Sequence, residues 1–167
     1  RARARAQARA LGVGPSGDAL RRIDEIQEEN RSLRRELEGA RMQLAGNLSS
    51  DLLHAAVDVD GARVISARVD VSSVEALREL ADALRGELAS GAAVLSTEMG
   101  EKIVFLATVT DDLVKRGVKA GDLVSRVARI TGGGGGGKPH LAQAGGRDKS
   151  RWQEALDQVV PLVRSML

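Results

Sequence analysis

The chain has 167 residues, enough for one compact core with an extension but short for two full domains. It contains no cysteine, which excludes a disulfide framework and thiolate metal sites, and its two histidines, His54 and His140, are too far apart in sequence to form a local ligand motif, so no metal is expected. The net charge is +2, with Phe105 and Trp152 as the only aromatics, so an RNA partner would be read by shape and backbone rather than by stacking bases on rings. No apolar run approaches the roughly 18 residues of a membrane span and no signal-peptide core is present; the expectation is a soluble, cytoplasmic protein.

From Arg1 to Ala10 arginine alternates with alanine. The following Leu11-Gly12-Val13-Gly14-Pro15-Ser16-Gly17-Asp18 is dense in helix stoppers and N-cap residues, so a basic helix end, a turn and a new helix are predicted. A chain that starts at Arg1 inside such a repeat reads as part of a longer polypeptide. Next, Ile23, Asn30, Leu37 and Leu44 recur every seven residues, with Ile26, Leu33, Ala40 and Asn47 as a second seam, a coiled-coil stripe that Leu48, Leu52 and Leu53 prolong to about Val57. A helix that long needs a partner: the preceding helix folded back as a hairpin, a second copy of the chain, or both. Homodimerisation through Ile23, Ile26, Asn30, Leu33, Leu37 and Leu44 is expected, with Asn30 at a core position fixing the register.

After Asp58-Val59-Asp60-Gly61 the period changes to two, and Arg63 to Val69 reads as a strand. Ser72-Ser73-Val74-Glu75 is a capping box opening a helix whose apolar face is Val74, Leu77, Leu80, Ala81, Leu84 and Leu88. Strands from Ala92 to Thr97 and from Ile103 to Thr110 follow, joined through Met99-Gly100, then a helix from about Asp122 to Ile130. A last helix is expected to open on the capping box Ser150-Arg151-Trp152-Gln153 and to kink or end at Pro161. The reading is α+β: a long helical hairpin or coiled-coil arm over residues 1–57, then a small α/β domain over residues 58–167 with a three- to four-stranded sheet and a glycine-rich loop at 132–137.

Between Lys115 and Arg151 nine basic residues (Lys115, Arg116, Lys119, Arg126, Arg129, Lys138, Arg147, Lys149, Arg151) face two acids, Asp122 and Asp148, a footprint that suits a polyanion or a solvated face. Within it lies Gly132-Gly133-Gly134-Gly135-Gly136-Gly137-Lys138. A flexible linker is one reading, although only one helix follows for it to connect. A nucleotide phosphate loop is another, since Gly132, Gly137 and Lys138 fit G-x-x-x-x-G-K, but Pro139 stands where a magnesium-binding hydroxyl is needed and a helix precedes the run in place of a strand. The same physics, glycines admitting a phosphate to the main chain and Lys138 supplying charge, suits an RNA backbone.

The run Gly132 to Gly137, Lys138-Pro139, then Ala142-Gln143-Ala144-Gly145-Gly146 and a terminal helix resembles the terminal motif of alanine-tRNA ligases, and a helical arm joined to a small α/β unit resembles the whole C-terminal region of that family. The resemblance implies a globular domain related to the accessory domain of DHH phosphoesterases, holding the outer corner of tRNA and helping aminoacylation and editing act on the same tRNA, with the helical part contributing to dimerisation. It implies an RNA-facing surface at the loop glycines Gly132, Gly133, Gly134, Gly135, Gly136 and Gly137, with Lys138, His140 and Gln143 beside them. Lys138 and Arg147 are the leading phosphate contacts, and Lys149 and Arg151 complete the RNA-binding set. No catalytic residue is expected in this chain; the class II adenylation motifs and the editing zinc ligands, with ATP, magnesium and zinc, would belong to upstream parts of the parent enzyme. The alternatives are a dimerisation scaffold, a substrate clamp of a DHH-type phosphoesterase, or an RNA surface on Arg1, Arg3, Arg5 and Arg9.

Overall fold

A computed structural model describes the backbone of residues 18–167 and, within the first helix, the side chains of residues 22–37, 39–40 and from 46 onward. The expected basic helix end and turn, with Arg1, Arg3, Arg5 and Arg9, lie outside the described residues, as does the first half of the expected hairpin. The chain divides after Gly46. Helix α1, Asp18–His54, supplies the described part of the first unit. Its heptad residues Ile23, Ile26, Leu33 and Leu37 are 41%, 40%, 57% and 52% exposed, Asn30 is exposed with them, and the side chain of Leu44 is outside the description. The exposed pairs Arg22–Glu25 and Arg31–Glu28, both 3.0 Å and three residues apart, each add about 0.3–0.5 kcal/mol to helix stability.

The second unit, Asn47–Leu167, reaches back upstream of the expected boundary at 57/58, because the last turns of α1 pack on it: Ser49 and Leu52 are buried, and the Ser49 hydroxyl donates to Glu87 Oε1 at 2.8 Å. In order come β1 (Val57–Val59), β2 (Ala62–Arg68), α2 (Val74–Glu87), β3 (Gly91–Met99), β4 (Lys102–Val109), α3 (Asp111–Lys115), α4 (Ala120–Ile130), β5 (Gly134–Gly137), β6 (Leu141–Gly146), a 3₁₀ turn (Lys149–Arg151), α5 (Trp152–Asp157) and α6 (Val159–Met166). The sheet has six strands, not three or four, ordered β1-β2-β3-β4-β6-β5, with β2 and β3 parallel and every other pair antiparallel. The difference lies at the edges. β1 pairs with β2 across Asp60-Gly61, both at positive φ (51° and 81°), the Asp-Gly turn that matches strand twist, while the expected loop at 132–137 contains β5, paired to β6.

Strand alternation sorts the apolar residues onto two faces. On one, Ile65, Ala93, Leu95 and Leu106 meet Leu77, Leu80, Ala81 and Leu84 of α2, whose N-cap is Ser73 rather than Ser72: its hydroxyl accepts from Ala76 N at 3.1 Å. On the other, Val64, Val94, Phe105, Ala107, Ala142 and Ala144 meet Leu123, Val124, Val127 and Ala128 of α4 together with Trp152, Leu156, Val159 and Val163. The expected capping box at Ser150 is replaced by a 3₁₀ turn over Lys149–Arg151, which Asp148 caps by accepting from Ser150 N at 2.9 Å and which leads into α5 at Trp152. The break imposed by Pro161 falls at Gln158, upstream of the proline: without an N–H, Pro161 cannot bond the carbonyl of Asp157 four residues back, and its ring crowds that carbonyl, so α5 ends there and α6 restarts.

Candidate nucleic-acid interface

Helix α4 and the glycine run form one continuous device. At the C-terminus of α4 the N–H of Gly132 bonds Arg129 O and that of Gly133 bonds Ala128 O, both characteristic of a Schellman end, and Gly132 takes the required positive φ of 65°. Gly132 is thus a helix cap. The chain turns into β5, which runs back along α4 as the sheet's edge strand. At the far end Lys138 N donates to Leu141 O at 2.9 Å, and the carbonyl of Pro139 accepts from Ala120 N at 2.7 Å, satisfying a first-turn donor of α4 that no side chain caps.

The glycines of β5 separate by parity. A Cβ added to Gly133, Gly135 or Gly137 would collide with the main chain of β6; at Gly137 it would stand 2.7 Å from Ala142 Cα. A Cβ added to Gly134 or Gly136 would meet nothing within 4 Å. The run is therefore a paired strand lying against its neighbour, and the flexible-linker reading is wrong.

Of the remaining sequence-selected residues, Lys138 and Arg147 are exposed at the two ends of the β5–β6 pair, and among the described residues neither side chain has a hydrogen bond or ion pair. His140 is half-buried in the β5–β6 turn, its carbonyl accepting from Val109 N at 3.0 Å and Thr108 Oγ1 at 3.2 Å. Gln143, half-buried on β6, accepts from the guanidinium of Arg78 at 3.2 Å, a residue of α2 that its place in the sequence did not single out. Lys149 and Arg151 are engaged within the protein. Lys149 Nζ donates to Glu98 Oε1 at 2.6 Å and to Gly100 O at 3.1 Å, and Arg151 makes two hydrogen bonds to Glu154 at 2.8 and 2.9 Å.

These contacts tune the carboxylates. The hydrogen bond and charge of Lys149, helped by Arg68, hold Glu98 below the usual range; the hydroxyl and N–H of Ser150 lower Asp148; and Arg151 lowers Glu154. A folded-state pKa below the unfolded one means that the unfolded chain takes up protons first on acidification. Stability from these groups is complete above the ordinary carboxylate range and is lost below roughly pH 4. The loss of stability between pH 5 and pH 3, measured by urea melts, should accordingly be smaller in Glu98→Gln than in the parent; equal losses would show that the Lys149 pair adds nothing.

The profile of the DHHA1 domain family matches residues 61–165. The chain is 39% identical over 160 residues to an alanine-tRNA ligase of Acetivibrio thermocellus and 44% identical over 161 residues to one of Anaeromyxobacter dehalogenans; each match covers 96% of this chain and 18% of the relative, so the chain spans less than a fifth of the length of these proteins. Among solved structures, it superposes on the C-Ala domain of Aquifex aeolicus alanyl-tRNA synthetase with a TM-score of 0.60 and 27% identity, covering 65% of this chain and 97% of that one. The chain belongs to the DHHA1 domain family, and its relatives are alanine-tRNA ligases.

Proposed function

We propose that this chain is a tRNA-binding module of an alanine-tRNA ligase, holding the outer corner of the tRNA so that aminoacylation and editing act on one bound molecule. The observation that carries this reading is the likeness to nearly the whole of a C-Ala domain. Lys138 and Arg147, unpaired among the described residues at either end of an edge strand without side chains, supply charge where a phosphate backbone can come close. Bond making belongs to the rest of the parent enzyme, with its ATP, magnesium and zinc; this module contributes no catalytic group or cofactor and works in the cytoplasm. Among the described residues no helix is long and apolar enough to cross a membrane.

The heptad face of α1 supports a second role, self-association. Ile23, Ile26, Leu33 and Leu37 form an apolar stripe exposed in the single chain, and a second copy would cover it with Asn30 pairing at the register position. Both roles are tested together by binding the chain to folded tRNA, to the same tRNA with its D-loop and T-loop corner disrupted, and to a plain duplex across a salt series. Folded tRNA should bind best at moderate salt, with the advantage lost in the disrupted RNA. Lys138→Glu combined with Arg147→Glu should weaken binding about tenfold or more and reduce the salt slope by about one per residue. Sedimentation of that variant should still give a dimer. Equal binding of all three RNAs would leave self-association as the principal role.

A further inference from the structure

Within the second unit, the sheet's two faces are not equally covered at the β6–β5 end. Helix α4 lies across β4, β6 and β5 on one face, whereas α2 on the other packs over β3 and β4. On the α2 side, the register aligns Leu106 with Gln143 and Gly136, and Val104 with Gly145 and Gly134. Leu106 is buried, Val104, Leu141 and Gln143 are half-buried, and Gly134, Gly136 and Gly145 are exposed. Cations stand around this open area. Arg78 reaches it from α2 through its bond to Gln143. Lys102 opens β4 on the same side as Val104 and Leu106, and Lys138 extends β5 on the same side as Gly134 and Gly136. Arg147 follows β6. The nearby acids are Glu75 and Glu79 on α2 and Glu101 beside Lys102, and among the described residues none is ion-paired to these cations.

We infer that this uncovered face of β4, β6 and β5 is where RNA seats, with Arg78 and Lys102 contacting its phosphates alongside Lys138, and with Gln143 as the positioning residue that aims Arg78. The inference rests on the tRNA-binding reading above and adds the choice of face. Charge complementarity selects a polyanion as occupant. The other exposed basic stripe, Lys119 at the N-cap of α4 with Arg126 and Arg129 on the helix, is assigned no role in RNA binding. β6 is six residues long, about 20 Å at ~3.3 Å per residue, room for a short stretch of backbone carrying several phosphates.

The test compares two double charge reversals that change net charge equally: Arg78→Glu with Lys102→Glu, and Arg126→Glu with Arg129→Glu. Both are made in the 167-residue chain and titrated with folded tRNA at fixed moderate salt, after thermal melts confirm folding. The first pair should weaken binding by about tenfold or more and flatten the salt slope, and the second by less than about threefold. Gly136→Val, which changes no charge and adds a side chain in open space, should weaken binding by about fivefold or more if RNA lies on this face, and Gln143→Ala should weaken it less than Arg78→Glu. A larger loss from the α4 pair, or unchanged binding in both Gly136→Val and the Arg78/Lys102 pair, overturns the choice of face while leaving tRNA binding standing. A parent chain that does not bind tRNA at all removes both readings.

Discussion

Gly135→Val should detach β5 from the sheet, while Gly136→Val one residue on should leave it in place. At Gly135 a Cβ would stand inside the contact radii of Gln143 O and Ala144 Cα, main-chain atoms of the paired strand that cannot rotate away as a side-chain end could. Either the strand leaves or the chain takes a strain of about 1–3 kcal/mol, the usual range for overpacking, and a β-branched residue pressed against backbone belongs at the top of it. At Gly136 the added side chain enters open space, and by reducing the freedom of the unfolded chain it should change stability by less than about 1 kcal/mol. Urea melts give the global effect. Amide exchange at Gln143 and Gly145, the β6 residues whose N–H groups face β5, gives the local one and should quicken only in Gly135→Val. Identical protection in both variants would mean that the parity of the glycines has no structural basis.

Trp152→Ala should cost about 3–5 kcal/mol, the range for removing a large buried aromatic side chain. The indole is 3% exposed, donates from Nε1 to Ser96 Oγ at 2.8 Å and lies 3.8 Å beneath the guanidinium of Arg68. It is the first residue of α5, and its loss removes the anchor by which the terminal helices hold the α4 face of the sheet. Trp152→Phe keeps most of the volume and gives up the hydrogen bond, so it should cost about 1–2 kcal/mol; Ser96 Oγ still donates to Ala67 O at 3.2 Å. Arg68→Ala removes an exposed cation–π contact and should cost about 0.5–1 kcal/mol. The order of the three midpoints is the check: a Phe variant as unstable as the Ala variant would place the energy in the hydrogen bond rather than in the buried ring.

The middle of the fold was legible because its residues carry a period. The apolar spacing from Leu77 to Leu84 dictates a helix facing one side, and the β-branched runs at Val64-Ile65 and Ile103-Val104 dictate strands, so β2, α2, β3, β4 and α4 lie close to where periodicity puts them. The edges were illegible for opposite reasons. Six identical glycines have no period, and Leu141-Ala142-Gln143-Ala144 alternates only weakly in polarity, so a paired strand looked like a loop. Strand β1 is too short to alternate, although Asp60-Gly61 signalled its turn, and α3 is little more than one helical turn. Of the proposed phosphate contacts, Lys138 and Arg147 stood out in the sequence as charges beside the glycine run. Arg78 did not, because on α2 it is one of several alternating surface charges and only the sheet order brings it to Gln143.

A strand made of a single repeated letter cannot encode its own alignment. Slid by one position, β5 would present the same chemistry to β6, so the pairing of Gly135 with Ala144 must be dictated from outside it. The dictation comes from two fixed pins: Gly133, bonded to Ala128 at the end of α4, and Lys138, bonded to Leu141 where β6 begins. The tract between them behaves as a cut length. Removing one glycine leaves it short by about 3.3 Å, so one pin must be released, whereas an extra glycine has only to bulge outward into solvent. What this segment holds constant is its residue count, and tolerance to change should be lopsided, with insertions borne more easily than deletions.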